Sequence, residues 1–357
     1  MSIHEISFTN GLLGAHRAPA PQQEMPHQEA PGVSPHRNDA LRLAPQQDTR
    51  ARRANQRPRP CQGRPQQNSF ARLARQHPCF AQGRSNGKGR IHLPVSPGCT
   101  INCRFCERSI NRHEQRPGVT ARRLKPKEAL EVVARSLDLA PELSVVGIAG
   151  PGDPLATPYA LETFRLIQQR FPQMIRCLST NGLLLADQLD DLLEAGVDTL
   201  TVTVNDIEPR RLAQIVDRVT YQGRRYGGTE AARLLIDKQL AGIHAAANAG
   251  LLIKVNTVLI PHINGLYIGA IARRVKQAGA GLYNIIPLIP NAQMAQMPAP
   301  TCAQIDAARS AAEQHISVFR HCQHCRADAI GIPGGKDLSE FVYKKRKINQ
   351  SNTFSHG

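Results

Sequence analysis

From residue 91 to residue 286 the chain repeats one pattern: a short apolar run, then a longer segment whose apolar residues recur every third or fourth position. Short runs rich in Val, Ile and Thr read as buried strands, and the longer period reads as amphipathic helix. Strands are therefore predicted at 91–95, 144–149, 174–178, 199–204, 252–259 and 282–286, with helices at 126–139, 159–170, 184–195, 230–249 and 267–278. Pro126 suits a first helical turn, where its missing N–H is no loss. Strands joined through helices run parallel. Six such units predict an α/β chain built as a partial (β/α)6 TIM-like barrel, an open relative of the closed eight-fold barrel. Barrels of this kind gather their chemistry at the C-terminal ends of the strands.

The flanks have a different texture. Residues 1–70 are rich in Pro, Gln and Arg (Pro45-Gln-Gln, Arg57-Pro-Arg-Pro-Cys61) with little apolar periodicity, which predicts a disordered basic extension. Residues 71–335 form the predicted core and 336–357 a basic C-terminal tail. The net charge of +17 raises the question of nucleic acid. Residues 1–90, however, hold 14 Lys and Arg against 5 Asp and Glu, so about half of the charge sits in the extension. A solvated tail accounts for it, and nucleic acid is not the expected partner. No apolar run reaches the roughly 18 residues of a membrane span, and no basic-then-apolar leader opens the chain, so a cytoplasmic protein without a membrane partner is expected. In that compartment the nine cysteines point to metal or catalysis before disulfides.

The cysteines are clustered. Cys99, Cys103 and Cys106 form a C-x3-C-x2-C run just after the first strand. Three thiolates so close can converge on one metal centre, and a four-iron cluster held by three of them keeps one iron open to a small molecule. A zinc loop that borrows its fourth ligand from elsewhere is the plainer alternative. Gly147-Ile-Ala-Gly150-Pro151-Gly152-Asp153 closes the second strand; its glycines allow close backbone approach, and Asp153 can accept from an ammonium. Cys177-Leu-Ser179-Thr180-Asn181-Gly182 closes the third, Asn205 follows the fourth and Asn256 lies on the fifth. Their polar side chains can contact a ligand or can serve the backbone. His321-Cys322-Gln-His324-Cys325 is a C-x2-C pair flanked by histidines, a strong metal-ligand pattern.

The C-x3-C-x2-C run resembles the signature of radical S-adenosylmethionine (SAM) enzymes. The longer strings His77-Pro-Cys79-Phe80, Gly89-Arg-Ile-His92-Leu-Pro-Val95, Arg116-Pro-Gly-Val-Thr120, Gly147–Leu155, Leu178–Gly182 and Arg320–Asp328 resemble, in register, the NifB family within that superfamily. The resemblance implies a barrel of the radical SAM type and a lyase-type cluster synthase. Such an enzyme fuses two [4Fe-4S] clusters and inserts a SAM-derived carbide, making the [8Fe-9S-C] precursor of the nitrogenase cofactor. It implies a SAM-binding [4Fe-4S] cluster on Cys99, Cys103 and Cys106. Accessory [4Fe-4S] clusters would sit on Cys79, Cys322 and Cys325 and, separately, on Cys177. It further implies SAM contacts at Gly150, Gly152, Asp153, Ser179, Asn181 and Asn205, with Glu114 as a catalytic group. The implied partners are an iron–sulfur cluster donor, cofactor scaffold or carrier proteins, and an electron donor such as ferredoxin. Two positions depart from the family: Ser85 stands where a histidine is usual, and Arg112 where a cysteine is usual. A guanidinium cannot ligate iron; either His92, His113 or Glu114 substitutes, or that cluster is held more weakly or the copy is divergent or impaired. A radical SAM enzyme with another substrate is thus one rival. A basic, zinc-stapled nucleic-acid-binding protein is another, though it leaves the glycine motifs at the strand ends unexplained.

Overall fold

The structure is a computed structural model that describes residues 73–81 and 87–343. The predicted extension with Cys61, the position of Ser85, and the tail beyond Tyr343 lie outside these residues. Eight strands form the main sheet: β1 (Gly89–His92), β2 (Leu143–Ile148), β3 (Ile175–Thr180), β4 (Thr199–Thr203), β5 (Leu252–Leu259), β6 (Leu282–Pro287), β7 (Val318–Phe319) and β8 (Ile330–Gly331). Their order across the sheet is β7-β6-β5-β4-β3-β2-β1-β8. All neighbours run parallel except β8, which pairs antiparallel with β1. The connections carry helices α1 (Pro126–Leu139), α2 (Tyr159–Arg170), α3 (Leu189–Glu194), α4 (Gly228–Asn248), α5 (Ile268–Ala278) and α6 (Cys302–Glu313). This is the open α/β half-barrel that the pattern predicts. No helix among the described residues is long and apolar enough to cross a membrane.

Each strand has two chemically different faces, because successive side chains alternate across the pleat. Outward residues such as Ile91, Val146, Leu178, Leu200, Val202, Ile253 and Val255 are buried in the main hydrophobic core, where each contributes about 1.5–3 kcal/mol. The helices close over them: α1 buries Ala129, Val132 and Val133, and α5 buries Ile268, Ile271, Ala272 and Val275. The inward face is largely polar, with Arg90, His92, Cys177, Ser179, Thr201, Thr203, Lys254, Asn256 and Asn284 all on one cavity wall. A closed eight-fold barrel fills this space with branched apolar side chains; here it stays open, with these polar groups set beside Val145, Val258 and Ile286.

The structure departs from the predicted elements in several places, among them the unpredicted helices Pro209–Ile215 and Cys302–Glu313. The 184–195 helix is shorter, reduced to Leu189–Glu194. A hairpin, Val216–Tyr221 with Arg224–Gly227, turns through Gln222 and Gly223, both at positive φ. Its first strand pairs antiparallel with Ile101–Cys103, so the cysteine loop is stitched into a small three-stranded sheet. Residues 336–343, assigned to the tail by sequence, pack on the core: Ser339–Val342 is a short helix, Val342 and Tyr343 are buried, and the Tyr343 hydroxyl donates to the His92 carbonyl at 3.2 Å.

Candidate active site

The cysteine loop lies after the C-terminal end of β1 and is held by its own backbone and by two neighbouring segments. Arg104 N–H donates to the Ile215 carbonyl and Cys106 N–H to the Cys103 carbonyl, both at 2.9 Å. Asn181 donates through Nδ2 to Thr100 Oγ1 at 3.0 Å and toward Cys99 Sγ at 3.7 Å. All three cysteines are free thiols. Burial, and then the charge of Asp153, pushes the Cys99 thiol up to about 12. Burial and the neighbouring Cys106 and Cys99 raise Cys103. Burial also raises Cys106, with Arg108 and Arg116 working against it. Thiols that resist ionisation alone yet crowd one another suit a polycation that displaces their protons. Among the described residues no three His, Cys, Asp or Glu side chains converge as tightly as a single metal ion requires. The fit to a multi-iron cluster therefore rests on the donor chemistry of the loop: three sulfurs and no fourth ligand within it.

The glycine motif after β2 braces that loop. Gly152 N–H donates to the Ser96 carbonyl and Asp153 N–H to the Gly98 carbonyl, both at 2.7 Å. A Cβ on Gly152 would collide with the Gly98 carbonyl oxygen, so this approach requires glycine. The Asp153 carboxylate is buried and accepts from Leu155 N–H (2.9 Å), Thr180 Oγ1 (2.9 Å) and Asn181 N–H (2.5 Å). Burial raises its pKa, and these donors oppose the rise. Asn205 is likewise engaged, its Oδ1 accepting from Val258 N–H at 3.0 Å. Of the predicted SAM contacts, Ser179 lines the cavity. Gly150, Gly152, Asp153, Asn181 and Asn205 stand behind the lining and shape the strand-end loops.

One cavity of about 330 Å³ opens inside the half-barrel. Cys106 and Phe105 lie on its wall together with Cys79, Cys177, Cys322 and Cys325, so four segments distant in sequence deliver thiols to a shared space. Arg90 ties the end nearest the C-terminus, donating from Nη2 to Cys325 Sγ at 3.0 Å and from Nη1 to the Gly331 carbonyl. Burial raises Cys79 and pushes Cys177 up to about 11, with the neighbouring Thr199 and the charge of Lys254 opposing the rise.

His92 is the one of the three named substitutes that reaches this wall. Its Nδ1 lies 3.1 Å from the Arg326 carbonyl, which can only accept. Nδ1 therefore carries the proton and Nε2 presents a lone pair, the arrangement of a metal-binding imidazole. Burial, then Arg90, lowers its pKa to about 4, so the ring is neutral near pH 7. His92 pairs across the sheet with Gly147, and Gly147 with Cys177. The row thus places a nitrogen donor and a sulfur donor two strand spacings apart, about 9–10 Å, with no side chain between them. A Cβ at Gly147 would come within 2.9 Å of the His92 ring.

Glu114 and Arg112 are placed differently. The Glu114 carboxylate is bound by Arg116, Ser109 and Asn111, and of that group only Arg116 lines the cavity. Arg112 is exposed. Arg326 fastens the segment: it pairs with Asp328 at 2.9 Å and donates to the carbonyls of Glu114 (2.6 Å) and Asn111 (2.8 Å).

Residues 93–275 match the Radical SAM superfamily. The chain is 47% identical over 262 residues to the FeMo cofactor biosynthesis protein NifB of Methanocaldococcus infernus, covering 72% of this chain and 86% of that one. It is 44% identical over 274 residues to the protein of the same name from Methanocaldococcus jannaschii, covering 75% and 91%. Against the Klebsiella pneumoniae protein of that name the identity is 40% over 71% of this chain and 56% of that one.

Proposed function

The chain belongs to the NifB family of radical SAM enzymes, and from that footing we propose that it acts in biosynthesis of the nitrogenase iron–molybdenum cofactor. Its task is to fuse two [4Fe-4S] clusters, taken as substrates, with insertion of a SAM-derived carbide into an [8Fe-9S-C] product. The observation that carries this reading is that Cys106, Cys79, Cys177, Cys322 and Cys325 all line one shared cavity. Two cargo clusters and the SAM-binding loop would face one another there without crossing solvent.

The residues have separate tasks. Cys99, Cys103 and Cys106 hold the SAM cluster, which when bound supplies one-electron reducing power for SAM cleavage. Cys79, Cys322 and Cys325 hold one cargo cluster. Cys177 and His92 hold the other, with Gly147 leaving room between them. His92 Nε2 thereby takes up the ligand duty that Arg112 cannot perform. Ser179 and the loops braced by Gly152 and Asp153 orient SAM, and Phe105 keeps water from the loop. Delivery of clusters, electrons and product requires a cluster donor, a reductant such as ferredoxin, and a scaffold or carrier protein.

An iron and sulfide count on anaerobically reconstituted protein, with EPR in the presence and absence of SAM, tests the reading. About twelve irons, three [4Fe-4S] centres, is the expected result. About eight, with SAM-perturbed EPR but no carbide-containing product, would favour a radical SAM enzyme with a different substrate. The exposed Arg112 is the observation behind that second reading.

A further inference from the structure

Around Cys79 the cavity wall carries an arrangement that the ligand assignments leave unused. His77 is 2% exposed and its Nε2 has no hydrogen-bond partner in the protein. Its Nδ1 accepts from Cys79 N–H at 3.1 Å. In a neutral imidazole that places the proton on Nε2, so His77, a residue of the cavity wall, holds an unused buried N–H and no free lone pair. It is the opposite tautomer from His92, and a donor where His92 is an acceptor.

Lys254 and Arg90, each 6% exposed, lie on the same wall. Lys254 Nζ donates to the Cys79 carbonyl at 3.2 Å and sits over the rings of Phe80 and Phe319, 5.1 and 5.2 Å from their centroids. Arg90 spends its terminal nitrogens on Gly331 and Cys325, and its Nε is unpartnered. Among the described residues neither cation has a carboxylate within ion-pair distance. Buried cations without an anion, beside a buried N–H without an acceptor, are costly in an empty protein. They make sense against an electron-rich, negatively charged group, and an iron–sulfur cluster with thiolate ligands is one.

We propose that His77, Arg90 and Lys254 form a donor wall for the cluster held by Cys79, Cys322 and Cys325, and that His77 and Lys254 raise its reduction potential. The proposal rests on that cluster assignment. Reduction adds one electron and one negative charge to the cluster, with no bond made or broken in the protein. A fixed cation and an N–H aimed at sulfur favour the reduced form over the oxidised one. The Cys177 and His92 end has Lys254 and Arg90 as neighbours but, among the described residues, no unpartnered histidine N–H, so the two cargo clusters would sit at different potentials. His77 and Lys254 are positioning residues here, acting on the cluster through charge and hydrogen bonding and not as ligands.

The test uses the full chain carrying Cys99→Ala and Cys177→Ala, reconstituted to leave this one cluster, with potentials read by EPR-monitored titration. About four irons are expected, and adding Cys322→Ala should remove them. If iron persists at the same level, the cluster assignment fails and the proposal falls with it. With iron retained, Lys254→Met should shift the reduced-to-oxidised ratio at a fixed poise about tenfold toward oxidised, or about 59 mV for one electron, while Lys254→Arg stays near the parent. His77→Asn, whose side-chain oxygen can still accept from Cys79 N–H, should shift it a few-fold in the same direction. Iron-loaded Lys254→Met and His77→Asn proteins that titrate with the parent would overturn the proposal and leave the cluster assignment standing. If Lys254→Met loses iron, retention in Lys254→Arg supports the need for charge. Loss in both, with native circular dichroism, would show that Lys254 serves packing and overturn its role.

Discussion

The two groups of cysteines at this cavity, the first of which reaches its wall through Cys106, are built in opposite ways. Cys99, Cys103 and Cys106 come from one loop of eight residues, clamped by the hairpin at Ile101–Cys103 and by the backbone of Gly152 and Asp153. Cys79, Cys177, Cys322 and Cys325 come from an N-terminal turn, the third strand and a C-terminal loop, and meet only because the sheet brings those pieces to one wall. The first group depends on local geometry and should tolerate damage elsewhere. The second depends on the whole fold and on buried charge, and so can be altered in parts without loss of the first.

The largest effect expected from this contrast is a clean separation of activities. Cys99→Ala should abolish SAM cleavage and remove about four irons. Cys322→Ala should lose a similar amount of iron and all product yet keep SAM cleavage, read as 5′-deoxyadenosine by chromatography. SAM cleavage persisting in Cys99→Ala would refute the assignment of the loop. Because burial holds Cys99 up to about 12, iron loading must displace protons, and its extent at fixed iron should climb as pH is raised from 6 to 9.

Next in size is His92→Ala. It should cost about four irons and the product while SAM cleavage survives, since His92 lies on the accessory row and not in the loop. His113→Ala should leave the iron count unchanged. Full iron in His92→Ala would pass the ligand duty to another group and remove the reason for the Gly147 gap.

Gly152→Ala attacks the clamp between the two regions. The new methyl would meet the Gly98 carbonyl oxygen, and relief requires the loop to move. A loss of about 1–3 kcal/mol in chemical denaturation is expected, together with weaker SAM binding by calorimetry. Unchanged SAM affinity would mean that the glycine motif serves the fold alone.

These cases also mark how far sequence alone reaches. The helix at Pro126–Leu139, the helix at Tyr159–Arg170 and the strand at Leu252–Leu259 were legible to the residue, because a long apolar period and a proline at the first turn are local signals. The helix at Cys302–Glu313 lies outside the predicted pattern, although Thr301 and Gln304 form a reciprocal capping box that signals its start. The hairpin at Val216–Tyr221 was missed because its strands are short and polar, and pairing with the cysteine loop is a long-range event. The polar inner face was partly visible in Thr199, Thr201 and Thr203, alternating with Leu200 and Val202. What made it a site, the convergence of Cys79, Cys177 and Cys322, depends on strand order that only the folded chain displays. The choice of His92 over His113 depended on which nitrogen faces a carbonyl, and no residue spacing encodes that.

The smallest effect belongs to Glu114, which the family resemblance marks as catalytic and the fold holds in a polar knot beside the cavity. Partial burial pushes its carboxyl up, but Arg116, with Ser109 and Asn111, outweighs that and holds it below the usual value of 4.5. A lowered pKa in the folded state contributes stability that is present above about pH 4.5 and is lost as pH falls through the lowered value. The side chain is 32% exposed, so Glu114→Gln should cost on the order of 1 kcal/mol or less at pH 7. The gap between variant and parent in urea denaturation should close as the pH drops below about 4.5. If stability changes in this way while product yield holds, the carboxylate serves to anchor the Asn111–Arg116 loop on which Arg116 reaches the cavity. If product is lost with stability and iron count intact, the charge of Glu114 acts on the reaction itself, and the division between a loop-built and a fold-built half of the cavity must be redrawn to include it.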